Sequence, residues 1–516
     1  MADGVNLIVQ AGGRGSRLEH YCWNKPKCLV PINGKPMLYQ LLDAVEQAHA
    51  GQALNVRVIA EHKAEALERY LDVFPPRQPV RLQRPKGHGT TSGIPEALAD
   101  IGDDEPVWIV WSDLTFHEFP PTPEGDEPVI FLSRSFTCRW SVASLAGGPP
   151  TIVEQSGNEA GIMGLFWFPR KSLLRDLPES GEFVRWLSEN LTAFRTEYCD
   201  EALELGTLNA LLHHWDSTAG TRFFNRITYQ GDRVVKQAVV KEYEPLIGRE
   251  IAWYRAVGEL GFANVPTLLD TDPMTLTRID GHHPFQLPWG TKGRRQILEN
   301  ILDALDTLHS LGTAPAVAED VRSVYLDKTV ARIAKVRRLL PQLGEWRAIK
   351  VNGVWVPNVL HDQESHLLDS AFRLVRCKAF TVIHGDPTFS NILVDANSRP
   401  WFIDPRGYFA APGIYGDPNY DWAKLYYSVI GSYDSFNRRH FILTMDDQSA
   451  DVEIRDSGWA HLGEVLRERL GTQYTAVRIL HAFIWLALSG WVDDDYDSIV
   501  AAYCNGLYHL HQALES

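Results

Sequence analysis

The stretch Asn6-Leu7-Ile8-Val9-Gln10-Ala11-Gly12-Gly13-Arg14-Gly15-Ser16-Arg17-Leu18 runs from apolar, strand-forming residues straight into three glycines and two arginines. A strand from Asn6 to Val9 that ends in such a turn is how doubly wound α/β sheets present phosphate sites. Glycines let main-chain N–H groups approach phosphate oxygens, and the turn sits at the carboxyl edge of the sheet. Outward from this stretch, β-rich runs at Val56–Ala60, Val107–Trp111 and Val129–Leu132 alternate with helical stretches at Met37–Ala48 and Lys63–Leu71. That alternation predicts a mixed, mostly parallel α/β sheet with ligands at the carboxyl ends of its strands.

Between Ala11 and Pro36 lie Arg14, Arg17, Lys25, Lys27 and Lys35 against one acid, Glu19, in a chain whose formal net charge is −15. A local reversal of charge suits a polyphosphate, whereas the overall charge argues against a nucleic-acid or anionic-membrane partner. The turn is neither a P-loop, lacking G-x-x-x-x-G-K-[ST], nor a dinucleotide fingerprint, lacking the third glycine. Six scattered cysteines without a C-x-x-C pair argue against zinc and fit a reduced compartment. Met1–Val9 has no signal-peptide pattern, and the apolar run Ile479–Trp491 is shorter than the roughly 18 residues that span a bilayer. A cytoplasmic protein is expected.

With 516 residues, 45% of them hydrophobic, more than one core is expected. The pattern changes after His214, where Asp216–Gly220 reads as a loop and Phe223–Tyr229 with Arg233–Val240 as a hairpin turning at Gly231-Asp232. These signs predict domains at 1–218 and 219–516. The second would be an α+β bilobal unit, with a small lobe over about 222–285 and a mainly helical lobe over about 290–516, interrupted by a β-rich segment from Phe380 to Asp404.

That segment holds His384-Gly385-Asp386-Pro387-Thr388-Phe389-Ser390-Asn391, an H-x-D-x-x-x-x-N string, with Asp404 thirteen residues later in Ile403-Asp404-Pro405-Arg406-Gly407. The spacing matches the catalytic and metal-binding loops of kinase-like phosphotransferases. Asp386 is expected to orient the acceptor hydroxyl and accept its proton, with Asn391 and Asp404 holding the Mg²⁺ that bridges the ATP phosphates. His384 is read as support for the loop. Upstream, Lys236 in Arg233–Val240 is expected to contact phosphates, with Glu250 in the helix Arg249–Val257 as its ion-pair partner, and Lys241 competes with Lys236. Leu276–Gly281 reads as the hinge against adenine. Pro405 replaces the Phe of D-F-G, no A-P-E follows, and Gly416-Asp417-Pro418-Asn419-Tyr420-Asp421 resembles the segment after the metal loop in aminoglycoside phosphotransferases, choline kinases and sugar 1-kinases. The resemblance implies a small-metabolite acceptor, with Asp421 bracing the catalytic loop. Trp485, Trp491, Asp493, Asp494, Asp495 and Tyr496 offer carboxylates and aromatic faces for an amino group, although core tryptophans and a solvated acidic loop explain them as well.

The first half has its own resemblance. Ala11 to Leu18 resembles the A-G-G-x-G-x-R-L signature of sugar-phosphate nucleotidylyltransferases, followed at family-like spacing by Pro26-Lys27-Cys28-Leu29-Val30-Pro31 and Gly34-Lys35-Pro36, with Cys28 where the family usually has proline. The resemblance implies that Ala11, Gly12, Gly13, Gly15 and Arg17 hold a nucleoside triphosphate and that Lys27 contacts phosphate. It implies base recognition by Gln83, Gly89 and Thr90, and Mg²⁺ binding by Asp113 and by Glu204, where the family has aspartate. Fusion of two such enzymes implies consecutive steps: a sugar or polyol is phosphorylated with ATP, then coupled to a nucleotide from CTP, GTP or UTP with release of pyrophosphate, as for surface polysaccharides. The rival readings are an amino-alcohol kinase fused to a cytidylyltransferase, and a chain with one degenerate, regulatory half. Oligomeric state is not legible.

Overall fold

The structure, a computed structural model, describes residues 4–144, 149–218, 225–286 and 290–515. The chain divides into two compact units, Met1–Thr218 with Asp493–Asp497, and Ala219–Val492 with Ser498–Ser516. The short segment Asp493–Asp497, which sequence order assigns to the second domain, groups with the first. Phe223 of the expected hairpin lies outside the described residues.

In the first unit, strands Val80–Gln83, Leu54–Ile59, Val5–Gln10 and Val107–Trp111 lie side by side in that order and all run parallel. Gly161–Phe168 continues the sheet antiparallel to Val107–Trp111, and Val129–Ser133 pairs with it in turn. All eight residues of Gly161–Phe168 are buried, as are all five of Val129–Ser133, so the sheet is covered on both faces. The helices Met37–Ala48 and Ala64–Val73 form where apolar residues recur every three or four positions, with Leu38, Leu41, Leu42 and Val45 buried in the first and Leu67 and Tyr70 in the second. The α/β architecture is thus the expected one. The strands Val80–Gln83, Gly161–Phe168 and Arg195–Tyr198 are additions to it.

The second unit opens with a four-stranded antiparallel sheet ordered Asn225–Gln230, Arg233–Ala238, Met274–Thr277, Leu268–Thr271, packed on the helix Glu244–Glu259. The hairpin turns at Gly231, whose φ of 61° is the left-handed conformation such turns require. The larger lobe is helical, with long helices at Thr291–Ser310, Lys328–Leu339, Pro418–Val429, Tyr474–Ser489 and Tyr496–Glu515. It carries more sheet than expected. Beside the hairpin of Ile392–Val394 with Pro400–Phe402, a separate four-stranded sheet joins Ala348–Pro357 to Phe441–Ile454. No helix of the described residues is long and apolar enough to cross a membrane, and all six cysteines are free.

Candidate active sites

In the first unit the site forms where strands of the parallel sheet end. Gly15 starts the turn after the glycine loop with φ 65°, and a Cβ there would collide with Cys22 Sγ. Ala11 N–H donates to Ile59 O (2.9 Å) and Ser112 N–H to Gln10 O (3.2 Å), which ties the loop and the approach to Asp113 to one sheet edge. Gln10, which no motif singles out, donates through Nε2 to Thr90 O (3.0 Å) and Ser92 O (3.1 Å). It thereby brings Gly89 and Thr90 to the carboxyl end of Val5–Gln10. Gln83 ends its own strand and donates to Arg84 O (3.0 Å).

Asp113 follows Val107–Trp111, and the next two residues, Leu114–Thr115, pair antiparallel with Leu203–Glu204. Leu205 N–H donates to Asp113 O (3.0 Å), so that Glu204 stands beside Asp113 although the two are 91 positions apart. Lys27 Nζ donates to Asp113 Oδ2, and Arg17 Nη2 donates to Glu204 Oε1 at 3.4 Å. Burial works to raise the Asp113 carboxyl, but the charge and hydrogen bond of Lys27 hold it below the usual range. Burial and the adjacent Asp113 push Glu204 the other way, up. Two carboxylates pressed together in this manner are ready to share a cation.

The basic run after Ala11 is reduced by folding. Lys25 is 1% exposed, with Nζ donating to Asp495 Oδ1 (2.6 Å) and Asp497 Oδ2 (2.8 Å). Lys35 pairs with Asp43. Lys27 and Arg17 are themselves paired, with Asp113 and Glu204. Asp495 is buried in an ion pair, which departs from both sequence readings of it, as solvated loop and as part of an amino-group pocket.

In the second unit Lys236, in register with Met274 on its strand, donates through Nζ to Glu250 Oε2 (2.6 Å) and Asp404 Oδ1 (2.7 Å). The two carboxylates raise the ammonium against the effect of burial. Lys241 lies instead in an exposed turn, Lys241–Tyr243. Asp404 has φ 55°, left-handed for a non-glycine, and this twist aims its carboxylate at Lys236. Asn391 Nδ2 donates to Asp386 O (2.9 Å) and Oδ2 (3.0 Å).

The loop carrying Asp386 is held from behind. Asp421 accepts from His384 N–H (2.8 Å) and Gly385 N–H (2.7 Å) and meets His309 Nε2 at 3.1 Å. His384 is buried, with Nε2 at 3.0 Å from Ile403 O and Nδ1 accepting from Asp386 N–H at 3.3 Å, so one ring ties the Asp386 loop to the approach of Asp404. Burial pushes its pKa down, consistent with a neutral bracing ring. After Met274–Thr277 the chain passes Arg278–Gly281 and His282 bridges to Val394, which sets the expected hinge beside the Ile392–Val394 hairpin. Lys424 escaped the sequence reading: its Nζ lies 2.8 Å from Asp386 Oδ1. Its place three residues after Asp421 on one helix is the signal that pointed to it. Trp485 is core, with Nε1 at 2.9 Å from His481 Nε2, whereas Trp491 is 68% exposed and is not.

Among the described residues there is no cluster of three or more His, Cys, Asp or Glu able to hold a metal. Each site instead offers two oxygen-bearing side chains, Asp113 with Glu204 and Asn391 with Asp404. That suits Mg²⁺, which is typically held by one or two protein ligands and completed by waters and substrate phosphates.

Residues 7–118 match the MobA-like NTP transferase domain family, and residues 214–441 match the phosphotransferase enzyme family. Bifunctional protein GlmU of Pseudoalteromonas atlantica is 29% identical over 108 residues, which is 21% of this chain and 22% of that protein. The chain therefore spans about a quarter of the length of such relatives. Among solved structures, the CTP:phosphocholine cytidylyltransferase LicC of Streptococcus pneumoniae aligns with 40% of this chain and 96% of its own at 16% identity and a TM-score of 0.33. HddC of Yersinia pseudotuberculosis aligns with 41% of this chain and 99% of its own at 20% identity and a TM-score of 0.34.

Proposed function

Since the chain joins a MobA-like NTP transferase domain to a phosphotransferase-family domain, we propose that it is a bifunctional enzyme that makes an activated metabolite in two steps. The second unit transfers the γ-phosphoryl group of ATP to a hydroxyl of a small metabolite, a sugar or polyol. The first then couples that phosphate to a nucleotidyl group from CTP, GTP or UTP, releases pyrophosphate, and supplies a precursor for surface polysaccharide. The observation that carries the reading is that each half assembles a whole set of groups for its own reaction, Lys236–Glu250–Asp404 with Asp386–Asn391 in one and Lys27–Asp113–Glu204 in the other.

In the kinase, Asp386 accepts the proton of the attacking hydroxyl and Lys236, fixed by Glu250, steadies the ATP phosphates. Asn391 and Asp404 are the groups that would hold Mg²⁺. In the transferase, Gly12, Gly13 and Gly15 present main-chain N–H groups to the triphosphate, with Ala11, whose own N–H is held by Ile59 O, fixing the start of the loop, while Arg17 and Lys27 offset charge developing at the α-phosphate. Gln83, Gly89 and Thr90 are assigned to the base, and Asp113 and Glu204 to metal binding. No protein nucleophile is needed: an oxygen of the metabolite phosphate attacks and pyrophosphate leaves. When bound, Mg²⁺ would supply charge neutralisation for both phosphate chemistries.

The protein incubated with ATP, each NTP and a panel of sugars and polyols should yield NDP-linked products by mass spectrometry. Asp386→Asn should abolish phosphorylation alone and Asp113→Asn pyrophosphate release alone. If no free or phosphorylated compound is converted to an NDP derivative, the two-step scheme fails. Of the acids offered for an amino group, Asp495 is taken up by Lys25.

A further inference from the structure

The surroundings of Asp386 are basic. Lys328 and Arg332 stand one turn apart on the helix Lys328–Leu339, and Tyr420 and Lys424 one turn apart on Pro418–Val429. Arg406, two residues past Asp404, donates through Nη1 to Tyr420 Oη at 2.6 Å. Lys328 Nζ lies 5.6 Å and Lys424 Nζ 5.9 Å from the centre of the Tyr420 ring. Arg332 stacks 4.9 Å over the Trp491 ring and donates to Ala487 O at 3.4 Å.

Gathering like charges at half-buried positions is costly unless something of opposite sign meets them. Among the described residues no carboxylate forms an ion pair with Lys328, Arg332 or Arg406, and the one acid joined to the group is Asp386, through Lys424. The strain is visible in both directions. Burial and the neighbouring Arg406, Arg332 and Lys424 push the Lys328 ammonium down to about 8. Although burial opposes it, Arg406, Lys328 and Lys424 pull the Tyr420 phenol down to about 7.

Asp386 separates this group from the nucleotide machinery. Its Oδ2 accepts at 3.0 Å from Nδ2 of Asn391, the residue assigned with Asp404 to Mg²⁺, while its Oδ1 faces Lys424 at 2.8 Å. A catalytic base with the phosphoryl donor on one side has the acceptor on the other. We infer that Lys328, Arg406 and Lys424, set around Tyr420 beside Asp386, with Arg332 one helical turn beyond Lys328, form an anion subsite of the phosphoryl acceptor, so that the metabolite phosphorylated by this unit already carries a phosphate or carboxylate group. This inference rests on the reading of the second unit as a kinase with Asp386 as its base.

The full-length protein with ATP and Mg²⁺ is offered sugars and polyols, each as the neutral compound, its monophosphate and its uronic or aldonic acid, with choline and ethanolamine as cationic contrasts. Acidic acceptors should exceed their neutral parents in kcat/KM by about tenfold or more, as expected for a charge-assisted contact. The phosphate and carboxylate arms tell which anion is preferred. Lys328→Met and Arg332→Met should raise KM for the acidic acceptor far more than KM for ATP. A neutral or cationic acceptor used as well as the acidic ones overturns the subsite, as does a rise confined to KM for ATP. Total absence of phosphoryl transfer would instead sink the kinase reading. The subsite is then judged by calorimetric titration of the full chain with inorganic phosphate under saturating MgADP: a binding component lost in Lys328→Met but kept in Asp113→Asn supports it, and none lost refutes it.

Discussion

The space where a Cβ of Gly206 would sit is bounded by Glu204 Oε1, Lys27 Nζ and Asp113 Oδ2, so any side chain there would drive apart the three groups assigned to the nucleotidyl transfer. Small displacements of reacting groups are costly, so Gly206→Ala should lower pyrophosphate release by about 100-fold or more. ATP-dependent phosphorylation by the same preparation should stay intact, which a coupled assay of both products measures. An alanine variant with normal pyrophosphate release would remove these three residues from the site. The Tyr420 phenol has a folded pKa of about 7, below its ordinary value of about 10. The unfolded chain therefore holds a proton that the folded one has lost between these values, and stability gains with rising pH through that window. The melting-temperature difference between the native protein and Tyr420→Phe should widen from pH 7 towards 10. Over the same range Lys328 loses charge near 8, so KM for an acidic acceptor should climb. A flat profile in both measurements would contradict the cationic surroundings of this phenol.

At the scale of elements, the sequence was most readable where chemistry and secondary structure share a local signal. The run Val107–Trp111 is a strand of five consecutive apolar residues, the first four buried in the sheet, and Asp113 follows from it. The order His384, Asp386, Asn391, Asp404 is likewise local, fixed by one loop and one hairpin. Lys236 and Lys241 could not be separated in this way, since one lies on the hairpin's second strand, the other just past its end, and both are polar. What separates them is the partner helix Glu244–Glu259, which presents Glu250 to the inward-facing Lys236 and leaves Lys241 in an exposed turn. Lys236→Met should therefore lower phosphoryl transfer by about 100-fold or more, the usual scale for losing a preorganised charge at a phosphate. Lys241→Met should remain close to the native rate. Steady-state kinetics of both variants decide the matter, and the reverse ranking would exchange their roles. The cationic group around Tyr420 was illegible for a related reason: Lys328 and Arg332 are ordinary helix-surface residues in sequence, about 90 positions from Tyr420, and only the fold brings Lys328 to the Tyr420 ring.

At the scale of the whole molecule, sequence order and compact units do not coincide. Residues 493–497 belong with the first unit, and their contribution is specific: Asp495 and Asp497 bracket Lys25, Asn24 Nδ2 donates to Asp497 Oδ1 at 3.3 Å, and the Tyr70 hydroxyl donates to Asp493 O. Lys25 sits two residues before Lys27, so this buried cluster anchors the segment that delivers Lys27 to Asp113. No periodicity or motif could announce an ion pair spanning 470 positions. Two carboxylates around one ammonium are stable together and costly apart: removing the cation leaves like charges buried side by side. Breaking such a cluster from one side costs about 3–5 kcal/mol, whereas neutralising all its members is far milder. Lys25→Met alone should therefore loosen the first unit, seen as faster hydrogen exchange in peptides covering Val5–Gln10, and should slow pyrophosphate release. Adding Asp495→Asn and Asp497→Asn to Lys25→Met should recover most of the exchange protection, a non-additivity that independent sites would not show. If the triple variant is instead as loose as the sum of its parts, the cluster is not a coupled unit, and Lys27 owes its placement to the Lys27–Leu29 turn alone.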